Sequence, residues 1–370
     1  MPISRAIATS PTVPGKAPYL NLLEAYRGIA STAVVLHHIG AIALKQHHVD
    51  FTGGFFSACH LRLDFFFVLS GFIIAWLHAQ DIGRPAMAKP FLLKRFWRLY
   101  PLLFLLTTAK LAAVLTMGGW RWDKYHLDTT VILSSYLMLP MERFPLLLAA
   151  WTMPYEVLFY LIFAVAIITS RKTLAVITVL WVALIAGAHL LLEEELAFPL
   201  SFFLKPFHLQ LLAGVAAGIL VRRYGNVAWG GVVMGWGFGL LAVGLLTHQW
   251  IETLPMFHAR CWWALVFCIL IAGSAMYEAR RSKPAHVPRW LKALGRASYS
   301  TYLIHGPLLV FLLAWCAQKH LLEGYWKDLT LATCGLAAIL AGILCHRLIE
   351  RPITHWTRRI SHVKRAGQTA

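Results

Sequence analysis

Residues 20–43 read Leu20-Asn21-Leu22-Leu23-Glu24-Ala25-Tyr26-Arg27-Gly28-Ile29-Ala30-Ser31-Thr32-Ala33-Val34-Val35-Leu36-His37-His38-Ile39-Gly40-Ala41-Ile42-Ala43. As one helix this stretch would be ~36 Å long at ~1.5 Å per residue, enough to cross a hydrocarbon core of ~30 Å. Nine more apolar segments follow, at roughly 61–79, 97–117, 152–169, 173–192, 202–221, 228–247, 260–277, 299–317 and 329–348. Each has about the length a membrane-crossing helix needs. The stretch 128–140 is apolar but short and stops at Pro140, so it reads as a re-entrant or interfacial piece.

The whole composition agrees with this reading. Of 370 residues, 59% are hydrophobic and only 14% charged, whereas a soluble domain is nearer half apolar and a quarter charged. The formal charge is +18, with 34 Lys and Arg against 16 Asp and Glu. On a soluble chain that excess would suggest nucleic acid. Here the cations stand in short clusters between apolar runs, so no nucleic-acid partner is expected and the partner is the lipid bilayer. Counting the 34 by alternate sides puts 24 on the side of the N-terminus, 9 on the other, and Lys110 inside a span. The positive-inside rule makes the richer side cytoplasmic. The expectation is an all-α polytopic membrane protein with about ten transmembrane helices and both termini cytoplasmic. Residues 1–19 form a cytoplasmic N-terminal segment, 20–350 the membrane domain and 351–370 a basic cytoplasmic tail.

The six cysteines form no CxxC pair, so neither a disulfide framework nor a metal site is expected. Residues 1–18 hold four prolines and no apolar core of a signal peptide, which leaves the first span as an uncleaved anchor.

Ionisable groups inside spans are costly and are candidates for function. Arg27 and His38 are eleven positions apart, ~16 Å of helical rise, and eleven steps of ~100° return them to one face. Arg27 would then sit near the cytoplasmic end and His38 in the outer half. Histidine titrates near neutrality and suits a general base. The plainer reading has both side chains reaching for the two interfaces. Asp64 begins the second span beside Arg62, and Ser70-Gly71 lies mid-membrane, where small residues let helices approach closely. Lys94-Arg95-Phe96-Trp97-Arg98 puts two guanidinium forks on one helical face, a match for phosphates or a simple stop-transfer cluster. Glu156 stands at the mouth of the fourth span, and His305 lies inside the ninth. Glu350-Arg351 reads as a cytoplasmic ion pair ending the last.

Taken together and in order, these stretches resemble the acyltransferase-3 family of integral-membrane acyltransferases. The matching motifs are Arg27-Gly28-Ile29-Ala30 with His38, the run Asp64 to Phe72, and Arg95 and Arg98 before Tyr100-Pro101. Trp151 with Glu156, Phe159 and Tyr160 follows, then Tyr299-Ser300 with Tyr302-Leu303 and His305, then Glu350-Arg351-Pro352. Glu24 stands where the family usually has Asp, and Met153-Pro154 replaces a more typical pair before Glu156.

The resemblance implies an acyl-CoA-dependent O-acyltransferase. Acetyl-CoA, or another acyl-CoA, would be the cytoplasmic co-substrate, and a hydroxyl of an extracytoplasmic or lipid-linked glycan the acceptor, with no metal involved. His38 would be the general base, with Glu156 or Asp64 steadying its imidazolium; the sequence does not choose between the two. Arg27, Arg95, Arg98, Ser70 and His305 would line the acyl-CoA site. The setting would be a bacterial inner membrane, and a homo-oligomer is compatible with it. The competing class is a transporter or flippase of a glycolipid or small metabolite, which would consume no acyl-CoA.

Overall fold

The computed structural model describes residues 19–56, 62–116, 127–192, 196–225, 227–281 and 283–356. Among them the secondary structure is helical, with no strand. The order is α1 (Asn21–His47), α2 (Arg62–His78), α3 (Ala88–Thr116), α4 (Thr129–Leu137), α5 (Met153–Ile168) and α6 (Arg171–Leu191). Then come α7 (Leu200–Phe203), α8 (Phe207–Tyr224), α9 (Gly230–Leu246), α10 (His248–Thr253), α11 (Met256–Ala279), α12 (Arg289–Gln318) and α13 (Lys327–Cys345). A π turn, His346–Glu350, follows α13, and helical residues continue to 356.

Eight helices among the described residues are long and apolar enough to cross a membrane, and α2 and α9 are shorter apolar helices of 17 residues each. Those ten coincide with the ten apolar segments of the sequence. The short stretch at 128–140 forms the nine-residue α4, too short to span. The first 18 residues, the tail beyond 356, and Trp120, Trp122 and Tyr125, which lie between the third apolar segment and the 128–140 stretch, fall outside the described residues.

Two starts differ from the sequence reading. Helix α3 begins at Ala88 rather than near 97, and α12 at Arg289 rather than near 299. Hydropathy drops where arginines enter, but the helical backbone does not, because long cationic side chains can reach water from a helix end. Arg95 and Arg98 are therefore part of a helix that packs into the bundle. They are not part of a loop below it.

Close backbone approach sets the main crossings. A Cβ at Gly71 of α2 would overlap the carbonyl oxygen of Leu211 in α8, and one at Gly214 would overlap that of Val68. A Cβ on Gly28 of α1 would lie 2.9 Å from the Leu291 oxygen of α12. Small residues at such crossings give helices van der Waals contact that lipid cannot match. Helices α1 and α12 run in the same direction, since Arg27 meets Ser298 and His38 meets His305 further along.

Polar clamps join the helix ends on the arginine-rich side. The Glu278 carboxylate, at the end of α11, accepts from the backbone N–H groups of Asn21 and Leu22 at 3.1 and 2.9 Å. This satisfies orphan donors at the α1 N-terminus, where negative charge also suits the helix dipole. Arg296 of α12 pairs with Glu24 at 3.4 Å. Arg222 of α8 and Arg171 of α6 donate to the carbonyls of Trp76 and Ala79 at the end of α2.

Candidate active site

Between α1, α2, α3, α5 and α12 lies a cavity of about 140 Å³. Its wall holds Arg27, Ser70, Arg95, Arg98 and Glu156, together with Tyr160, Ser298, Tyr299, Tyr302 and apolar side chains that include Phe66, Ile73 and Met153. Five residues singled out from sequence, on four helices, thus face one space. Three guanidinium groups stand there against one carboxylate. Low dielectric raises the cost of unpaired charge, so such a cavity suits a bound anion.

Arg27, Arg95, Ser70 and Glu156 are each held by neighbours. Arg27 donates from Nη2 to Ser298 Oγ at 2.8 Å. Arg95 donates from Nη2 to His78 Nε2 at 2.9 Å, and its guanidinium carbon lies 5.5 and 5.8 Å from the ring centres of Phe91 and Tyr160. The Arg95 Nε is buried without a hydrogen-bond partner. A buried donor left in this way marks a place where an acceptor from outside the chain would fit. Glu156 accepts from Ser70 Oγ at 3.3 Å and from the hydroxyl of Tyr160, one turn further along α5. Tyr302 shares a hydrogen bond with Thr152 at 2.9 Å, and Tyr299 donates to the Leu99 carbonyl at 2.7 Å.

His38 and His305 stand beside this space rather than in its wall. Their ring centres are 5.0 Å apart. Tyr302 links them to the cavity, since it lines the wall and its ring centre lies 6.1 Å from that of His305. His305 Nδ1 is 3.0 Å from the Thr301 carbonyl oxygen. A carbonyl only accepts, so Nδ1 carries the proton and, in the neutral ring, Nε2 carries the lone pair.

Both carboxylates that the sequence offered to His38 are directed elsewhere. Asp64 is fully buried, with both oxygens on Arg260 Nη1 of α11 at 2.9 and 2.7 Å and a further hydrogen bond from Gln210 of α8. Glu156 is directed to Ser70 and Tyr160. The expected Glu350–Arg351 ion pair is corrected as well. The π turn brings Glu350 inward, where it accepts from Ser300 Oγ at 2.6 Å and His346 Nδ1 at 2.8 Å, while Arg351 is exposed. Adjacent helical residues point about 100° apart, so the two side chains could not both turn the same way.

Sequence reasoning placed Tyr160 in a matching motif but gave it no role, and it passed over Ser298 and His78. Tyr160 follows Glu156 by four positions, a spacing that could have flagged it. His78 offered no such signal, because its contacts are to a loop and to another helix. Among the described residues, no group of three or more His, Cys, Asp or Glu side chains is arranged to hold a metal ion.

A helical bundle of this kind, built round an arginine-lined cavity, is the frame of a multi-pass membrane protein. The chain belongs to the family described as "Acyltransferase domain", whose model matches residues 20–348. It is 27% identical over 319 residues to the "Exopolysaccharide production protein ExoZ" of Rhizobium meliloti (strain 1021), covering 83% of this chain and 93% of that protein. It is 34% identical over 93 residues to "Protein 2 in picA locus" of Rhizobium radiobacter, covering 25% of this chain and 44% of that one. No solved structure matches it.

Proposed function

We propose that this membrane acyltransferase moves an acyl group, acetyl by preference, from a cytoplasmic acyl-CoA to a hydroxyl of an extracytoplasmic or lipid-linked polysaccharide in a bacterial inner membrane. The observation that carries the reading is the convergence of Arg27, Arg95 and Arg98 on one cavity with Ser70 and Glu156. Coenzyme A is polyanionic, and guanidinium forks suit its phosphates. The family supports acyl transfer, and the exopolysaccharide protein at 27% identity supports a polysaccharide acceptor.

In this reading the phosphates lie at the arginine-rich end, which faces the cytoplasm. The pantetheine arm follows the apolar wall of the cavity toward Tyr302. His38 stands ~16 Å above Arg27 along α1. The acceptor hydroxyl gives its proton to His38 as its oxygen attacks the thioester carbonyl carbon. The carbon–sulfur bond then breaks and the CoA thiolate recovers the proton. His305, packed against His38, limits how the base can turn.

The test is label transfer from acetyl-labelled acetyl-CoA, supplied to the cytoplasmic face of membrane vesicles that contain endogenous glycans. Wild type is compared with His38→Ala and Arg95→Ala/Arg98→Ala at matched protein levels. Label in glycan with wild type alone supports the reading. Transfer by His38→Ala at the wild-type rate removes His38 as the base. A wild type that neither binds nor consumes any acyl-CoA removes the donor assignment.

A further inference from the structure

At the end of α2 stand two side chains that the mechanism above does not use. His78 is 6% exposed, and its Nδ1 lies 2.7 Å from Asp81 Oδ2. Its Nε2 lies 2.9 Å from Arg95 Nη2. Arginine can only donate, so Nε2 must carry the lone pair. The proton of the neutral ring is then on Nδ1, and Asp81 is its acceptor. The three side chains form a directed chain, from the Arg95 N–H to the imidazole and from the imidazole N–H to the carboxylate.

The platform under this chain is anchored on several sides. Arg222 holds the Trp76 carbonyl, and Arg171 the Ala79 carbonyl at 3.4 Å. The Asp81 N–H closes a turn onto the His78 carbonyl at 2.9 Å, and the Gly83 N–H reaches Ala166 of α5 at 3.3 Å. Cationic donors at a helix C-terminus also suit its dipole. The His78 ring packs edge-on against Phe91 at 5.0 Å, the same ring that lies under Arg95. His78 is thus held in place before Arg95 meets it.

We propose that His78, held by Asp81, is a positioning residue that fixes where the Arg95 guanidinium points in the cavity and so sets affinity for the anionic acyl donor. The proposal rests on the reading of the cavity as the acyl-CoA site. Arginine is a long side chain with many rotamers, and a ligand that must first order it binds more weakly. One anchored N–H removes that freedom and leaves the rest of the fork for the ligand. Because His78 meets Arg95 and not the reacting atoms, its loss acts on donor affinity and spares the chemical step.

The experiment uses the full-length protein in nanodiscs, with coenzyme A itself as the binding probe and acetyl-CoA for turnover. The variants are His78→Leu, His78→Gln, Asp81→Leu, Arg95→Ala and the pair His78→Leu/Arg95→Ala. Glutamine places a side-chain oxygen about where Nε2 was and keeps an acceptor for Arg95. His78→Leu is expected to raise the Kd for coenzyme A and the KM for acetyl-CoA about tenfold, with kcat within about twofold, since a charge-assisted hydrogen bond is removed. His78→Gln is expected to stay within about threefold of wild type. In the Arg95→Ala background, His78→Leu is expected to add less than about twofold, because the two residues act as one unit.

Equal coenzyme A affinity in wild type and His78→Leu overturns the proposal while the donor site stands. So does a kcat loss with unchanged KM, a His78→Gln variant as weak as His78→Leu, or additive losses in the pair. No coenzyme A binding by wild type removes the donor reading, and this proposal with it. If His78→Leu yields no folded protein, Asp81→Leu carries the test: a severalfold rise in KM at constant kcat supports the chain, and an unchanged KM overturns it.

Discussion

Asp64 and Glu156 are both carboxylates inside the bundle, and their surroundings differ in a way that separates a strut from a site. Both oxygens of Asp64 lie on the Arg260 guanidinium, Gln210 adds a hydrogen bond, and the side chain is fully buried. Positive and negative charge balance there within the protein. Glu156 takes hydrogen bonds from two neutral hydroxyls, Ser70 and Tyr160, and stands in the wall of a cavity that also holds three arginines. In the wall itself cations outnumber carboxylates, with Glu350 behind it near Arg27 and Arg98, and the space beside it could hold an anion. Both carboxylates meet the rule that intramembrane charge is a candidate for function. Counting the charges around each one is what tells the two regions apart.

The largest effect should come from emptying the open region of its cations. Arg95→Ala/Arg98→Ala removes two charge-assisted interactions of ~1.5–3 kcal/mol each. The expected loss in kcat/KM is about 10²- to 10⁴-fold, with the folded protein recovered at the wild-type level by size-exclusion chromatography. A variant that keeps its kcat/KM moves the anion site away from these arginines.

The closed region should respond the other way. Asp64→Ala takes the carboxylate away from Arg260, whose side chain is 22% exposed, so the cost should lie below the ~3–5 kcal/mol of a fully buried pair. The expected result is a large fall in Tm and in recovered folded protein. The fraction that folds should still bind coenzyme A. An Asp64→Ala protein with normal stability and no turnover would reverse the comparison and make Asp64 part of the chemistry.

Next in size is the crossing that carries Ser70 to the cavity. Gly71→Ala puts a methyl group into the Leu211 carbonyl, so α2 and α8 must separate. Overpacking of this kind costs about 1–3 kcal/mol. Thermal stability and KM should worsen together, because the same movement displaces Ser70. A drop in stability with KM unchanged would show that the cavity wall does not depend on this crossing.

How far the sequence reached follows the same division. Periodicity within one element was readable. Arg27 and His38 fall on one face of α1, and both in fact meet α12. The three-residue spacing of Arg95 and Arg98 was readable too, although the helix that carries them starts at Ala88. Contacts between elements were not readable. The partners of Asp64 lie 146 and 196 positions away, at Gln210 and Arg260. The inward turn of Glu350 depends on a local π turn that no spacing rule announces. His78 could be read only as the end of an apolar run, since its two partners lie in the following turn and on the next helix.

The smallest effect should sharpen the comparison most. Ser70 Oγ donates to Glu156 at 3.3 Å and lines the cavity. If it only steadies Glu156, Ser70→Ala removes one neutral hydrogen bond, worth about 0.5–1.5 kcal/mol. Tyr160 still holds the same carboxylate oxygen. Turnover should then fall by no more than about tenfold, and a stopped reaction should leave no acyl label on the protein. If Ser70 were instead a nucleophile, the acyl group would pass through its oxygen and the alanine variant would be inactive. The surroundings favour the first outcome, because a serine nucleophile needs a base able to take its proton, usually a histidine. Ser70 faces a carboxylate that already accepts a second hydrogen bond from Tyr160. A labelled wild-type protein that becomes unlabelled in Ser70→Ala would turn the mechanism into a two-step transfer. It would also make Glu156 the base in place of His38.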